Sequence, residues 1–289
     1  MEKITFIINP IAGHKKYKIA VEKIYKYLNH KKFILSIKYS KKKGDVEKIA
    51  KKAITKGANI IIAVGGDGTV NEVSRTLINS KVKMGVIPVG SGNGLALCIG
   101  IPNNIQKAIE IINSNQIKKL DCISINNLHS INIIGFGFDA FVAKKFSKES
   151  SRGLLKYIFL TFKLLGKYKS KEYTIKNNNK IKKIKAFALN ICNGNQFGNN
   201  FIISPTAKLN DKKLNICIIK PFKWYDFLKL IIQFYLKKIH FSKFYESYTT
   251  NELIIEGKTE NLIHIDGESH IIKNKANIHI IPKSINFIV

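Results

Sequence analysis

The chain has 289 residues, enough for one large or two medium domains, and 45% of them are hydrophobic, enough for a full core. Lysine and arginine number 49 against 19 aspartate and glutamate, a net charge of +30, which favours anionic partners such as nucleic acid or the anionic face of a membrane. Arginine, which supplies most specific base contacts, occurs only at Arg75 and Arg152, so nucleic acid is not expected as the partner. Uniform enrichment in Lys, Ile and Asn is also what an A/T-rich genome produces without selection for binding.

Cys98, Cys122, Cys192 and Cys217 are far apart and form no CxxC. Each lies in an apolar stretch, as reduced, packed thiols of a cytoplasmic protein do. Met1-Glu2-Lys3 leads into a short strand rather than a signal-peptide core, and no uncharged run approaches the ~20 residues of a spanning helix. If the substrate is a lipid, the protein is expected to visit the inner face of the membrane transiently from the cytoplasm.

In chain order, Ile4–Ile8 reads as a buried strand that ends at Asn9-Pro10, with Gly13 and His14 in the following loop. Val21, Ile24 and Leu28 line one face of a helix from Lys18. Phe33–Tyr39 alternates as a strand. Asp45 can cap the next helix, with Val46, Ile49, Ala50, Ala53 and Ile54 inward and Gly57 at its end. Asn59–Asn71, NIIIAVGGDGTVN, is an apolar strand broken by Gly65-Gly66-Asp67-Gly68-Thr69, then a helix with Val70, Val73 and Leu77 on one face. Strand, glycine turn and helix is a common way to aim backbone N–H groups at a phosphate; Gly and Asp are also common in ordinary βα turns. Asp67 is unusual in a phosphate turn. A carboxylate beside a phosphate is repulsive unless a cation lies between them or the acid is protonated, which points to phosphoryl transfer with Mg²⁺.

Met84–Pro102 repeats the pattern: an apolar strand, then Gly90-Ser91-Gly92-Asn93-Gly94 and a short helical run. Successive strands of a parallel sheet end on one edge, where ligands bind, so the two turns would form the lips of one cleft. A helix follows at Asn104–Asn113. This βαβα order predicts an α/β N-terminal domain with a doubly wound parallel sheet. From Leu120 the pattern turns to short strands: Leu120–Ile125, Ser130–Phe138, Lys185–Cys192, Leu214–Ile219, Glu252–Glu256 and Leu262–Asp266. They predict a separate, β-rich C-terminal domain. Two helical stretches interrupt it, Gly153–Tyr168 and Phe222–Phe241. Their aromatics and scattered lysines suit either a membrane interface or packing on the sheet.

GGDGTVNEV (65–73) and IPVGSGNGLA (87–96), preceded by FIINPIAG (6–13), resemble the diacylglycerol kinase catalytic-domain family, which includes bacterial soluble lipid kinases and the sphingosine and ceramide kinases. The likeness runs along nearly the whole chain, through GFGFDAFV (135–142), AKLNDKKL (207–214) and IDGE (265–268). GGDGT alone is shared with NAD kinases and phosphofructokinases; GSGN and the late DGE make the combination specific. The resemblance implies a nucleotide domain at 1–125, to which 276–289 returns, and a sandwich-like lipid-substrate domain at 126–275. It implies nucleotide contacts at Asn9, Ser40, Gly65, Gly66, Asp67, Gly68, Thr69, Val70, Asn71, Ser91, Gly92 and Asn93. It places the catalytic base at Glu268, with Asp67 as the alternative and as a ligand of Mg²⁺ through water. Asp139 would hydrogen-bond a lipid head group or cap a turn. Asp211, with the carbonyls of Lys208 and Lys213, would hold a structural Mg²⁺, although Lys212 replaces the family's glycine. Gly94 stands where bacterial members usually carry an Asp of GTxND, a departure shared with sphingoid-base kinases.

The expectation is therefore an ATP- and Mg²⁺-dependent lipid kinase at an anionic membrane surface. Diacylglycerol is the default acceptor, and a sphingoid base or other lipid alcohol the next. An NAD kinase-like enzyme and an inactive lipid- or nucleotide-binding regulator are the alternatives.

Overall fold

The computed structural model describes residues 1–13, 16–149, 154–177, 180–257 and 260–289, which divide into two compact units, Met1–Cys122 with Pro282–Val289, and Ile123–Ile281. His14, Arg152 and Gly153, the first residue of one expected helix, lie outside the described residues.

The first unit alternates β1 (Glu2–Ile8), α1 (Tyr17–Tyr27), β2 (Phe33–Tyr39), α2 (Asp45–Thr55), β3 (Ile60–Gly65), α3 (Asp67–Leu77), β4 (Lys83–Pro88), α4 (Gly94–Ile99) and α5 (Ile105–Ser114). Its strands pair in the order β2-β1-β3-β4, all parallel. Ile60 through Val64 are fully buried, as expected of a strand covered by helices on both faces. Ile8 stands opposite both Tyr39 and Val64, and Gly65 opposite Pro88, so four strands end level on one edge. Asn286 and Phe287 of the last strand, β16 (Lys275–Ile288), add to this sheet beside β4, also in parallel.

Local chemistry sets the helix ends. The Asn104 side chain accepts from the Lys107 N–H at 3.1 Å and starts α5. Asp45 does not cap α2 as expected. Gly44 occupies the N-cap, and the Asp45 carboxylate instead accepts from the N–H groups of Lys41 and Lys42, both at 3.0 Å. It closes the preceding turn, and at the first helical position its charge also suits the helix dipole.

The second unit contains two antiparallel layers. One holds β12 (Tyr245–Thr250), β11 (Leu214–Ile219), β10 (Ala188–Cys192), β7 (Ile133–Gly137), β14 (Asn261–Ile265) and β15 (Glu268–Ile272), paired in that order. The other includes β13 (Glu252–Gly257), β8 (Lys171–Asn177) and β9 (Lys180–Ala186), with residues 275–279 of β16 beside β13; β5 (Ile117–Ile125) pairs with β6 (Leu128–Ser130) and with β16. Ile134, Phe136, Leu189, Ile191, Ile216 and Ile218 pack between the layers against Tyr173, Ile175, Leu253 and Ile255. The alternate residues Ile133, Cys192, Cys217 and Ile219 face the opposite side, where Phe138, Val142 and Leu164 cover them. That period of two is the signature of a sheet buried on both faces. The covering helices are α6 (Phe138–Phe146), α7 (Leu154–Leu165) and α8 (Asp226–Tyr235). The expected helix at Phe222–Phe241 is shorter: α8 ends at Tyr235, and a separate 3₁₀ turn covers Ile239–Phe241. All four cysteines are free thiols.

Candidate functional site

The level strand ends of the first unit bring four loops together. At the end of β1, Asn9 Nδ2 donates to Thr69 Oγ1 at 3.2 Å, and Asn9 Oδ1 accepts from the Ile11 N–H at 3.1 Å. The same asparagine thus shapes its own loop and ties it to the turn after β3. At the end of β2, Ser40 is buried and its hydroxyl donates to the Ile8 carbonyl at 3.3 Å. Ser40 therefore stands on the expected edge, with its hydrogen committed to β1.

The turns after β3 and β4 meet backbone to backbone. A Cβ built on Gly66 would lie 3.1 Å from the Gly90 Cα, and a side chain on Gly90 would run into Gly66 in return. Both glycines are needed for this approach. A Cβ on Gly92 would lie 2.9 Å from Asp67 Oδ2, whereas a Cβ on Gly68 would meet nothing within 4 Å. Asp67 is the first residue of α3, and the first intrahelical bond closes from the Val70 N–H to the Gly66 carbonyl at 3.1 Å. Helix geometry leaves the N–H groups of Gly68 and Thr69 without an intrahelical acceptor, at the positive end of the dipole.

In the second turn Ser91 is exposed and Asn93 is buried in a left-handed conformation with φ of 51°. Asn93 Nδ2 donates to the Gly90 carbonyl at 3.0 Å and to Asn103 Oδ1 at 2.8 Å, while its Oδ1 has no hydrogen-bond partner. Val70 and Asn71 are placed differently from the rest of the motif. Both are buried within α3, the Val70 N–H is used by the helix, and neither amide heteroatom of Asn71 has a partner. The residues fit a nucleotide-bound divalent cation: a carboxylate, an acceptor oxygen without a donor, and a helix terminus lie in two touching turns. One carboxylate plus phosphate oxygens and water is the usual Mg²⁺ arrangement in phosphoryl-transfer sites.

In the second unit the DGE turn is built around Asp266. Its carboxylate accepts from Ser130 Oγ at 2.6 Å and from the N–H groups of Ile131, Asn132 and Ile133 at 3.1, 3.1 and 2.9 Å. Desolvation pushes this carboxyl above the ordinary aspartate range, against the opposing pull of those four hydrogen bonds. Asp266 and Gly267 both adopt positive φ, 49° and 87°. Asp266 thus anchors the turn, and Glu268 starts β15 opposite Ile265.

Asp139 lies in the first turn of α6, where Oδ1 accepts from the Ala140 N–H at 2.9 Å. Its Oδ2 is 3.4 Å from His264 Nε2, and the Gly267 N–H donates to His264 Nδ1 at 3.3 Å. The second contact requires an unprotonated Nδ1, so this network assigns the proton of a neutral ring to Nε2, facing Asp139. Gly135 leaves the space for the pair, since a side chain there would collide with both. Sequence reasoning missed His264. The available signal was a polar residue in the otherwise apolar run Leu262–Ile265, two positions before Asp266.

Asp211 does not fit the structural-metal role well. Its Oδ1 accepts from the Lys213 N–H at 3.1 Å across Lys212, which has φ of 61°. That makes the carboxylate a turn former. Among the described residues no three His, Cys, Asp or Glu side chains are grouped to hold a metal, and a single carboxylate between lysines is a weak Mg²⁺ ligand set.

Comparison with known proteins matches the same two regions. Residues 3–125 match the family model of the diacylglycerol kinase catalytic domain, and 132–289 that of the YegS C-terminal NAD kinase β-sandwich-like domain. A diacylglycerol kinase of Bacillus subtilis is 26% identical over 278 residues, covering 93% of this chain and 90% of the relative. One from Staphylococcus aureus is 26% identical over 223 residues, covering 76% and 71%. A crystal structure described as a diacylglycerol kinase of Bacillus anthracis superposes with a TM-score of 0.75 at 21% identity, over 99% of this chain and 96% of that one, which shows the shared fold. The chain belongs to the diacylglycerol kinase/YegS family of lipid kinases, phosphotransferases whose acceptor is an alcohol.

Proposed function

We propose that this protein transfers the γ-phosphate of ATP to the hydroxyl of a membrane lipid, with diacylglycerol as the first acceptor to test and a sphingoid base the second. The observation that carries this reading is the contact of the two glycine turns, with Asp67 beside Gly92 and the α3 N–H groups at one strand edge. Backbone donors there would take phosphate oxygens, and Asn9 and Thr69 would hold the loop around them. Asp67 and Asn93 Oδ1 would hold Mg²⁺, directly or through water. When bound, the ion supplies neutralisation of phosphate charge.

The lipid oxygen attacks the γ-phosphorus, forming the new O–P bond while the bond from that phosphorus to the β,γ-bridging oxygen breaks. The electron pair of the broken bond leaves on ADP, and the hydroxyl proton passes to the Glu268 carboxylate. Asp266, fixed by four donors, would hold the turn that presents Glu268. Asp139, joined to His264, is the group proposed to meet the lipid head. The enzyme would act from the cytoplasm at the anionic inner face of the membrane.

The roles separate in single-turnover experiments with labelled ATP. Glu268→Gln should keep nucleotide affinity and lose roughly 10²- to 10⁴-fold in transfer. Asp67→Asn should weaken the Mg²⁺-dependent part of nucleotide binding. Full transfer by Glu268→Gln would remove Glu268 from the mechanism and leave the base role to Asp67.

A further inference from the structure

His264 interrupts the apolar run Leu262–Ile265 and is buried. It stands opposite Gly135 of β7, and Gly135 stands opposite Asn190 of β10. The three form one row on the sheet face that Phe138 and Val142 of α6 cover. Both nitrogens of the ring are engaged, and by groups of different kinds. Nε2 faces the Asp139 carboxylate at 3.4 Å, and Nδ1 takes the Gly267 N–H at 3.3 Å. The side chains of His264 and Asp139 are only 5% and 14% exposed, so little water competes for their contact.

Holding these elements in place does not explain the ring. Asp266 already secures the DGE turn with its four donors, and Asp139 already has the Ala140 N–H. The ring also demands a sacrifice. A Cβ on Gly135 would lie 2.2 Å from His264 Nε2 and 2.4 Å from Asp139 Oδ2. The pair therefore exists only because β7, a strand paired on both sides, gives up a side chain there, which weakens a strand interior. Both contacts are at the long end of the hydrogen-bond range, as contacts in a site without its substrate often are before they tighten.

We infer that His264 is a positioning residue that couples Asp139 to the turn carrying Glu268: its Nε2–H directs the Asp139 carboxylate, and its Nδ1 fixes the Gly267 peptide from which Glu268 follows. This rests on the lipid-kinase reading, in which Asp139 meets the head group and Glu268 takes the proton. His264 itself touches neither substrate. The imidazole is a rigid plane, so its two contacts are not adjusted independently. An acceptor that engages Asp139 thereby also sets the turn of the base.

Two amides take the ring apart. The side-chain oxygen of Asn stands as far along the chain as Nδ1, and the side-chain nitrogen of Gln as far as Nε2. His264→Asn therefore keeps an acceptor for the Gly267 N–H and loses the donor to Asp139. His264→Gln keeps the donor and loses the acceptor. Transfer from labelled ATP is followed on the full chain with vesicles holding diacylglycerol or a sphingoid base, varying the mole fraction of the one that wild type labels. His264→Asn should raise the lipid KM about tenfold with kcat within about twofold of wild type, the mark of lost binding common to ground and transition states. His264→Gln should lower kcat roughly 10- to 100-fold with the lipid KM little changed, the mark of a misplaced base. The KM for ATP should hold in both, because the glycine turns belong to the first unit. In an Asp139→Ala background, His264→Asn should raise the lipid KM no further, since the contact is already gone.

Melting temperatures separate this from a packing role. Equal losses in the two variants that follow their melting temperatures would make His264 a core residue and overturn the coupling. So would the reverse pattern, wild-type constants in both, or full additivity with Asp139→Ala; each would leave the transfer reading in place. A wild type that labels neither lipid would overturn the transfer reading and the coupling together.

Discussion

The Oδ2 of Asp67 lies 2.9 Å from the point where a side chain on Gly92 would begin. The acid of the first glycine turn therefore rests against the bare backbone of the second, and a single methyl group is enough to move it.

Gly92→Ala should displace the Asp67 carboxylate by a fraction of an ångström to an ångström. Transfer activity should fall about 10- to 100-fold, the usual consequence of misplacing a group at a reacting centre by that distance. Gly92 does not have a positive φ, so the substitution brings no backbone strain, and by restricting the unfolded chain it stabilises the folded protein by about 0.4–1 kcal/mol. Parallel activity and melting measurements check this. Activity lost together with stability would mean a folding defect instead.

Asp266→Asn should destabilise the second unit by about 2–4 kcal/mol. An amide cannot accept at both of its heavy atoms, so at least one of the four donors from Ser130, Ile131, Asn132 and Ile133 loses its acceptor. Denaturant unfolding followed alongside activity is the appropriate measurement. Wild-type stability in Asp266→Asn would show that the four hydrogen bonds contribute nothing net.

His264 should be found as the Nε2–H tautomer wherever the ring is neutral, because its Nδ1 accepts from the Gly267 N–H. Nitrogen chemical shifts of ring-labelled histidine read this directly. In Asp139→Ala the Nδ1 contact remains and the tautomer should persist; an Nδ1–H ring in either protein would contradict the network.

Glu246 accepts from Lys182 and bridges to Lys220, and chiefly its hydrogen bond to Lys182 holds its carboxyl below the ordinary value of 4.5. A depressed carboxyl stabilises the fold above its unfolded pKa and loses that contribution as pH falls through the folded value. The stability difference between wild type and Glu246→Gln should therefore be constant above about pH 5 and shrink on acidification below it. Because the pair is a third exposed or more, the difference should also shrink in high salt. A difference that grows toward acid would contradict the assignment.

The first unit was readable because its residues repeat one physical pattern. The run Ile60–Val64 is too apolar for anything but a strand covered on both faces, and the glycines after it admit only a turn. The second unit was harder. In β9, KIKKIKA, lysine fills the solvent face and Ile181 is itself 65% exposed, so a chain rich in Lys and Ile everywhere conceals the alternation. Helix α6 begins inside GFGFDAFV, where Gly137 adopts φ of 98° and local glycine content argues against a helix. His264 was invisible for a different reason: its partner Asp139 is 125 positions away, and no local pattern reports such a pairing. The site residues of the first unit share one local motif after each strand, whereas the Asp266 and His264 networks depend on long-range sheet pairing.

The central claim is that the touching turns hold a nucleotide whose terminal phosphate is given to a lipid. Incubating the purified chain with γ-labelled ATP, Mg²⁺, NAD and vesicles containing diacylglycerol and a sphingoid base, then separating the products, tests it most directly. Label should appear in the lipid fraction and fall away in Asp67→Asn and Glu268→Gln; label on NAD with none on lipid, or bound nucleotide with no transfer to any lipid, would contradict it.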